Sequence, residues 1–121
     1  MVKIARLTRH AATFEQVAAL RVFGEISITN IPETLPSIPR EAVEKFDELV
    51  GDASVVEVVL PINLVEAVLK FSRFCQDGGT LIRSVMINRQ VEGEEPSYSF
   101  SHYEVIERVE IVTRRLPDPL E

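Results

Sequence analysis

The sequence predicts an α/β fold: a three-layer sandwich whose parallel strands are extended by a carboxyl-terminal antiparallel hairpin. Two patterns carry this prediction. Short apolar strands over residues 2–8, 25–29 and 55–60 are each followed by a segment with helical periodicity. A turn rich in Glu and Gly then separates two further extended segments. This succession favours the strand order 2-1-3-4, the flavodoxin-like arrangement, with a crevice where the chain reverses direction between strands 1 and 3.

The composition is typical of a globular protein with one domain over residues 1–121. Hydrophobic residues make up 45% and charged residues 26% of the chain. The net charge of −6 argues against non-specific nucleic acid binding, but a small anionic ligand needs only a few local cations. The single Cys75 favours a reducing compartment. Because neither a run of about 20 apolar residues nor a signal-peptide pattern is present, we expect a cytoplasmic protein without a membrane segment.

The first β-α unit combines an alternating strand with a helix that has its own capping signal. Residues 2–8 alternate in the manner of a strand, with Ile4 and Arg6 on one face. The following helix is expected over residues 14–22, and Thr13 with Gln16 has the spacing of a capping box. The side chains expected on its inward face are Phe14, Val17, Ala18 and the stem of Arg21.

The second unit contains a proline-rich loop. Residues 30–39 carry three prolines, too many for regular structure, and lead into the second helix. Ser37 is expected near the cap of this helix, Pro39 in its first turn, and Gly51 just beyond its end. Its apolar stripe comprises Ala42, Val43, Phe46, Leu49 and Val50.

The third unit carries a charge inside the most apolar strand of the chain. A buried, unpaired carboxylate at Glu57 costs several kcal/mol. We therefore expect Glu57 near a strand end, paired with a cation, or in a less central strand. The next helix follows residues 61–63, with Asn63 and Glu66 in the spacing of a second cap, and ends at residues 77–79. Its inward side chains are expected to be Val65, Val68, Leu69, Phe71 and Ser72.

The carboxyl-terminal part is predicted to be extended. A strand over residues 81–88, a solvated loop over residues 90–96 and a long extended segment over residues 98–114 form the hairpin. The long segment is expected to divide into two strands near Ile106, and residues 116–121 are expected to form a flexible tail.

The long segment also contains the second histidine and a group of aromatic residues. His102 is expected either to form an orienting pair with Glu104 or simply to face solvent. Tyr98, Phe100 and Tyr103 concentrate aromatic area of the kind that interfaces favour. The segment is therefore a candidate partner surface.

The carboxyl ends of strands 1 and 3 carry the main candidate site, because open α/β sheets bind ligands at such a switch point. Arg9 offers a planar fork for phosphate oxygens, and His10 can donate to the same anion or carry a proton near neutral pH. Thr8 and Asn63 add hydrogen bonds, and the helix amino ends add backbone donors. The alternative is that Arg9 and His10 are solvated loop residues and that Thr13 and Asn63 only cap their helices.

Several other chemistries lack their characteristic residues. Two histidines and one cysteine make a poor zinc set, and neither a P-loop, a dinucleotide-binding fingerprint nor a nucleophile elbow is present. Cys75 is expected to be a core or boundary thiol because it lies late in an amphipathic helix. We therefore expect no metal and no cofactor.

Residues 7–16, Leu7-Thr8-Arg9-His10-Ala11-Ala12-Thr13-Phe14-Glu15-Gln16, resemble the opening of small CRISPR-associated Rossmann-fold (CARF-like) proteins. In that family a strand ends in a Ser/Thr-x-His turn and the helix begins with Thr-Pro-Glu-Gln; here Phe14 replaces the proline. Asn63 is similar to the family's second ligand loop. The resemblance implies a homodimer in antiviral defence that binds cyclic oligoadenylates across its two-fold axis, as a sensor or a metal-independent ring nuclease. It implies phosphate or ribose contacts at Thr8, Arg9, His10 and Asn63.

Two classes of function thus remain open. If a cyclic oligoadenylate is cleaved, the ligand's 2′-hydroxyl attacks the phosphorus, His10 moves a proton and Arg9 stabilises the developing charge, which makes His10 and Arg9 the expected catalytic residues. The alternative is a non-catalytic interaction domain that uses residues 98–111, with the first loop incidental.

Overall fold

A five-stranded mixed sheet organises the part of the chain that the computed structural model describes, residues 1–89, 91–110 and 112–117. A 3₁₀ turn over Arg21–Phe23 directly follows the first helix. The elements in chain order are β1 (Val2–Arg6), α1 (Phe14–Leu20), β2 (Ile26–Asn30), α2 (Pro39–Val50), β3 (Val55–Glu57), α3 (Ile62–Phe71), α4 (Arg73–Gln76), β4 (Thr80–Arg89) and β5 (Ser97–Val105).

The strand order is β2-β1-β3-β4-β5. β1 runs parallel to both β2 and β3, β3 runs parallel to β4, and β4 pairs antiparallel with β5. The predicted α/β class and the carboxyl-terminal antiparallel pair are therefore confirmed. β3 pairs with β4 only as far as Ile82, so within the described residues the rest of β4 pairs with β5 alone. The β4–β5 hairpin thus extends past the carboxyl end of β3.

Alternate residues of the strands enter two separate apolar clusters. Ala5, Val56 and Leu81 pack with side chains of α2, α3 and α4 on one face of the sheet. The residues before or after them in each strand, Ile4, Val55 and Ile82, pack with Leu20 of α1. This alternation is the period of two that places neighbouring strand residues on opposite faces.

The first helix has the predicted cap but a different buried face. Thr13 Oγ1 accepts the Gln16 N–H, and Gln16 Oε1 accepts the Thr13 N–H at 2.9 Å, which confirms the capping box. Gln16 and Leu20 are buried, whereas Phe14 is 85% exposed. The predicted inward face is wrong at Phe14, Ala18 and Arg21, because the inward hydrogen bond of Gln16 turns the Gln16–Leu20 line toward the sheet.

The next two helices begin close to the expected positions but without side-chain caps. Pro39 lies in the first turn of α2 as predicted, but Ile38 takes the cap position instead of Ser37. α3 starts at Ile62 with Pro61 at the cap position, so Asn63 lies inside the first turn. The predicted capping box of Asn63 and Glu66 is therefore wrong.

The predicted continuous third helix is broken at Ser72. Ser72 is buried and extended, and its hydroxyl donates to Asp47 Oδ1 at 2.6 Å. The Asp47 carboxylate also accepts the backbone N–H groups of Arg73 at 3.1 Å and Phe74 at 3.4 Å. It thereby satisfies the free donors at the start of α4. The break turns Phe71 outward, so its predicted inward position is wrong.

The segment after β5 leaves the sheet. β5 ends at Val105, which confirms the break near Ile106, but residues 106–110 and 112–117 form no second strand. The Ile106 N–H donates to the Leu81 carbonyl, and Ile106 and Val109 pack against the apolar cluster beneath α3 and α4. Ile111 and most of the predicted tail, residues 118–121, lie outside the described residues. No helix in the described ranges is long and apolar enough to cross a membrane.

Candidate functional site

The loops that follow β1, β2 and β3 line a half-open cavity of about 720 Å³ at the carboxyl edge of the parallel strands, here called the carboxyl-edge cavity. Its size falls in the range of small-molecule sites, about 300–1,000 Å³. All four sequence-predicted site residues line it: Thr8, Arg9 and His10 after β1, and Asn63 in the first turn of α3. The cavity lies beyond the carboxyl ends of β1 and β3, the strands that flank the predicted switch point.

Arg9 and His10 present unengaged side chains to this cavity. Both residues are exposed, and within the described residues neither the guanidinium nor the imidazole makes a hydrogen bond or an ion pair. The loop itself is ordered by Thr8, whose Oγ1 accepts the His10 N–H at 3.2 Å while its own O–H remains free to donate. A guanidinium and an imidazole are therefore available together beside hydroxyl and amide donors.

The loop after β2 adds residues that the sequence analysis did not assign to the site. Glu33, Thr34 and Ser37 line the same cavity. Glu33 adds a carboxylate to the lining, so the cavity combines one acidic group with Arg9 and His10. No local pattern marked these residues, because the loop reaches the cavity only through the pairing of β2 with β1.

Arg6, at the end of β1, is the buried polar centre of this edge. The residue is 2% exposed, and each of its five N–H groups donates to an acceptor within the described residues. Nε donates to Glu57 Oε1 at 2.8 Å; Nη1 donates to the His10 carbonyl at 2.8 Å and to Asn30 Oδ1 at 3.1 Å. Nη2 donates to Gln16 Oε1 at 3.3 Å and Glu57 Oε2 at 3.4 Å. Arg6 therefore links four segments of the chain.

Glu57 completes a three-residue network, Arg6–Glu57–Tyr103. It is 3% exposed, ends β3, and accepts the Tyr103 hydroxyl at 2.6 Å as well as the Arg6 bonds. Both the expected position near a strand end and the expected cation partner are confirmed. Burial, together with the neighbouring Glu57 carboxylate, raises the pKa of Tyr103, which therefore remains a neutral donor. For Arg6, burial alone lowers the pKa, but the bond and charge of Glu57 outweigh it and raise the pKa.

The sequence did contain a signal for this network. Arg6 shares its strand face with the apolar Ile4, and Glu57 shares its face with Val55. Two opposite charges on the inner faces of two apolar strands are best satisfied by each other, and they are direct register partners in the β1–β3 pair. Arg6 was missed because the pattern of either strand alone does not predict the register of β1 against β3.

The remaining candidate residues do not join the cavity. The His102 ring bonds Ser101 Oγ at 2.8 Å, and Glu104 pairs with Arg83 at 2.8 Å. Of the two alternatives for His102, the solvent-facing position is therefore confirmed and the pair with Glu104 is not formed. Cys75 is half-buried, which confirms a boundary thiol, and burial raises its pKa. Among residues 1–89, 91–110 and 112–117, no three His, Cys, Asp or Glu side chains are grouped as metal ligands.

No family model, no curated protein and no solved structure matches the chain. The geometry of the site is therefore the basis for assigning a function. A guanidinium, an imidazole, a hydroxyl and two amide or carboxylate groups can together bind a phosphate ester that also carries hydroxyl groups.

Proposed function

We propose that this chain is a Rossmann-like domain with flavodoxin-like strand order that binds a phosphate-bearing nucleotide in the carboxyl-edge cavity. The observation that carries the proposal is the convergence of Thr8, Arg9, His10 and Asn63, from two separate loops, on one cavity. Arg9 supplies a fixed charge for phosphate oxygens, and the free imidazole of His10 supplies a second donor.

Glu33 favours a nucleotide over a simple phosphate. A carboxylate beside the cationic loop repels a bare anion, but it accepts hydrogen bonds from ribose hydroxyls. A ligand with phosphate and ribose groups side by side satisfies both Arg9 and Glu33. The resemblance of residues 7–16 to CARF-like proteins makes cyclic oligoadenylates the first compounds to test, with a homodimer as the binding unit.

If the ligand is cleaved, the chemistry needs only groups of this cavity and of the ligand. The 2′-hydroxyl attacks the adjacent phosphorus, the bond to the 5′ oxygen breaks, and a cyclic phosphate and a 5′-hydroxyl are formed. His10 moves a proton between the attacking and leaving oxygens, and Arg9 stabilises the extra negative charge of the phosphorane.

Thermal unfolding with added ligand tests binding. Cyclic tetra-adenylate or cyclic hexa-adenylate at about 100 times its Kd should stabilise the fold by about 2.7 kcal/mol, a rise in Tm on the order of 10 °C. Inorganic phosphate and AMP serve as comparison ligands. Arg9→Ala and His10→Ala should each abolish the shift while leaving the unliganded Tm unchanged, because both side chains are exposed and without partners in the described chain.

Arg21→Ala is the matched control, since Arg21 is also an exposed arginine but lies at the other end of α1. It should leave the shift intact. The absence of a shift with every nucleotide contradicts the proposal. Chromatography of the incubated nucleotide then separates a sensor from a ring nuclease, because only the latter forms linear products.

A second candidate is a protein-interaction domain that uses the β4–β5 hairpin. Two-stranded ribbons are marginally stable on their own, and this one exposes Tyr98 at 68%, Met86 at 47% and Ile87 at 46%. Its test is the oligomeric state, measured by sedimentation. If the Tyr98→Glu variant sediments differently from the wild type and no nucleotide binds, the interaction function is the better one.

A further inference from the structure

The hydrogen bonds of Arg6 exclude it as a ligand contact and suggest a different role. A guanidinium has five N–H groups, and Glu57, His10, Asn30 and Gln16 supply five acceptor contacts. No donor is left to face the carboxyl-edge cavity. What Arg6 touches instead is the backbone of the loop that lines it.

We propose that Arg6 is the positioning residue of the candidate site: it holds the Thr8-Arg9-His10 loop through the His10 carbonyl, and Tyr103 of edge strand β5 sets its orientation through Glu57. The role of this network in ligand binding rests on the function proposed above. The effect on the loop does not depend on any ligand.

The bonds of the loop show why this single contact matters. Within the described residues, the Thr8 N–H donates to the Arg6 carbonyl and the His10 N–H donates to Thr8 Oγ1, so both bonds are local. The bond from Arg6 Nη1 to the His10 carbonyl, at 2.8 Å, is the one that ties the loop to a buried side chain. It is charge-assisted and part-buried, and charge-assisted bonds are about twice as strong as neutral ones.

The link to β5 follows from how Glu57 is held. Its Oε1 accepts both Arg6 Nε at 2.8 Å and the Tyr103 hydroxyl at 2.6 Å. These two donors fix the carboxylate plane, and the carboxylate in turn fixes the guanidinium fork. A shift of β5 that withdraws the Tyr103 hydroxyl therefore loosens Glu57, then Arg6, then the His10 carbonyl. The order of the site becomes dependent on the outer edge of the sheet.

Limited trypsin digestion of the full chain measures the order of the loop. Arg9 is exposed, and the bond cleaved after it joins Arg9 to His10. Arg6→Lys keeps a positive charge beside Glu57 but has three donors at one point in place of a five-donor fork, so it cannot reach all four partners. We expect cleavage after Arg9 to become about tenfold faster, the change that corresponds to the loss of one part-buried, charge-assisted bond.

Ser72→Ala is the matched control for general loss of stability, because it removes one bond of the other buried polar cluster. Rates are compared at equal global stability, adjusted with urea. Equal acceleration in Arg6→Lys and Ser72→Ala overturns the positioning role. Tyr103→Phe, a milder change that retains the fold, should accelerate the same cleavage by a smaller factor; an unchanged rate overturns the link to β5.

Titration with cyclic tetra-adenylate separates this inference from the proposed function. If the wild-type chain binds it, Arg6→Lys should weaken the affinity about tenfold although Arg6 faces no ligand. Equal affinity in the variant contradicts the positioning role and leaves the function standing. A chain that shows the loop effect but binds no nucleotide contradicts the proposed function and leaves Arg6 as the residue that orders the loop.

Discussion

On the face of the sheet covered by α2, α3 and α4, buried residues are almost all apolar, whereas the face covered by α1 ends in a buried ionic network. Phe46 and Val68 are fully buried on the first face, and Phe46 meets Phe74 edge to face with 5.8 Å between ring centroids. On the second face, Arg6 and Glu57 occupy strand positions equivalent to those that Ala5 and Val56 fill on the first.

The difference separates stability from positioning. Burying apolar area is non-directional and stabilises any well-filled core. A buried ion pair loses much of its Coulombic gain to desolvation, so it adds little net stability over a well-packed apolar pair. Its hydrogen bonds are directional, however, and they fix the positions of the groups that they join. On the α1 face one of these bonds holds the His10 carbonyl, in the loop that lines the carboxyl-edge cavity.

The largest expected effect compares the two faces by deletion. Phe46→Ala should destabilise the fold by about 3–5 kcal/mol, because it removes a fully buried ring and leaves a cavity. Glu57→Leu should cost a similar amount, about 3–5 kcal/mol, because it leaves the Arg6 charge buried without its partner. Urea unfolding measures both.

The double variant Arg6→Met with Glu57→Leu then distinguishes the ionic network from the apolar core. Replacing both partners of a buried pair by apolar residues of similar volume is often neutral, so we expect it to recover most of the stability lost in Glu57→Leu. Trypsin cleavage after Arg9 should nevertheless be faster than in the wild type. A double variant as unstable as Glu57→Leu contradicts the view that the network serves positioning more than stability.

A middle-sized effect sharpens the comparison on the apolar face, where Asp47 is the polar exception. Asp47→Ala removes the acceptor for the Ser72 hydroxyl and for two backbone N–H groups at the start of α4, so we expect a loss of about 1–3 kcal/mol in urea unfolding. Asp77→Ala, at an exposed carboxylate on the same side of the fold, is the control and should change stability by less than about 0.5 kcal/mol. Cleavage after Arg9 should be unaffected in both.

The two polar clusters also show which parts of the fold the sequence could predict. Hydrophobic periodicity and the spacing of capping residues are local signals, and they were sufficient for the α/β class, the antiparallel pair and the capping box of Thr13. The break at Ser72 was missed because its cause is Asp47, 25 positions earlier in the chain. The exposure of Phe14 was missed because Gln16, a polar residue, takes the inward position through its bond to Arg6.

The sequence likewise predicted only part of the site. Thr8, Arg9, His10 and Asn63 could be grouped because the carboxyl ends of parallel strands share one edge, whatever the details of packing. Glu33 and Arg6 could not, because their places depend on the length of the proline-rich loop and on the register of β1 against β3. Topology can be read from the order of elements, but the partners of a side chain require the register.

The smallest expected effect comes from alkaline pH, and it acts on the network alone. Burial and the Glu57 carboxylate raise the folded-state pKa of Tyr103 above its ordinary value of 10.0. The stabilisation from the neutral hydroxyl is therefore fully present below pH 10 and is lost as the pH rises from about 10 toward the folded pKa. The stability difference between the wild type and Tyr103→Phe, about 1 kcal/mol near neutral pH, should shrink in that range. Urea unfolding at neutral and alkaline pH measures it, and ultraviolet absorbance of tyrosinate gives the titration directly. A stability difference that is constant with pH contradicts the Tyr103–Glu57 hydrogen bond, and with it the proposed influence of β5 on the site. The apolar face should show no change over the same pH range.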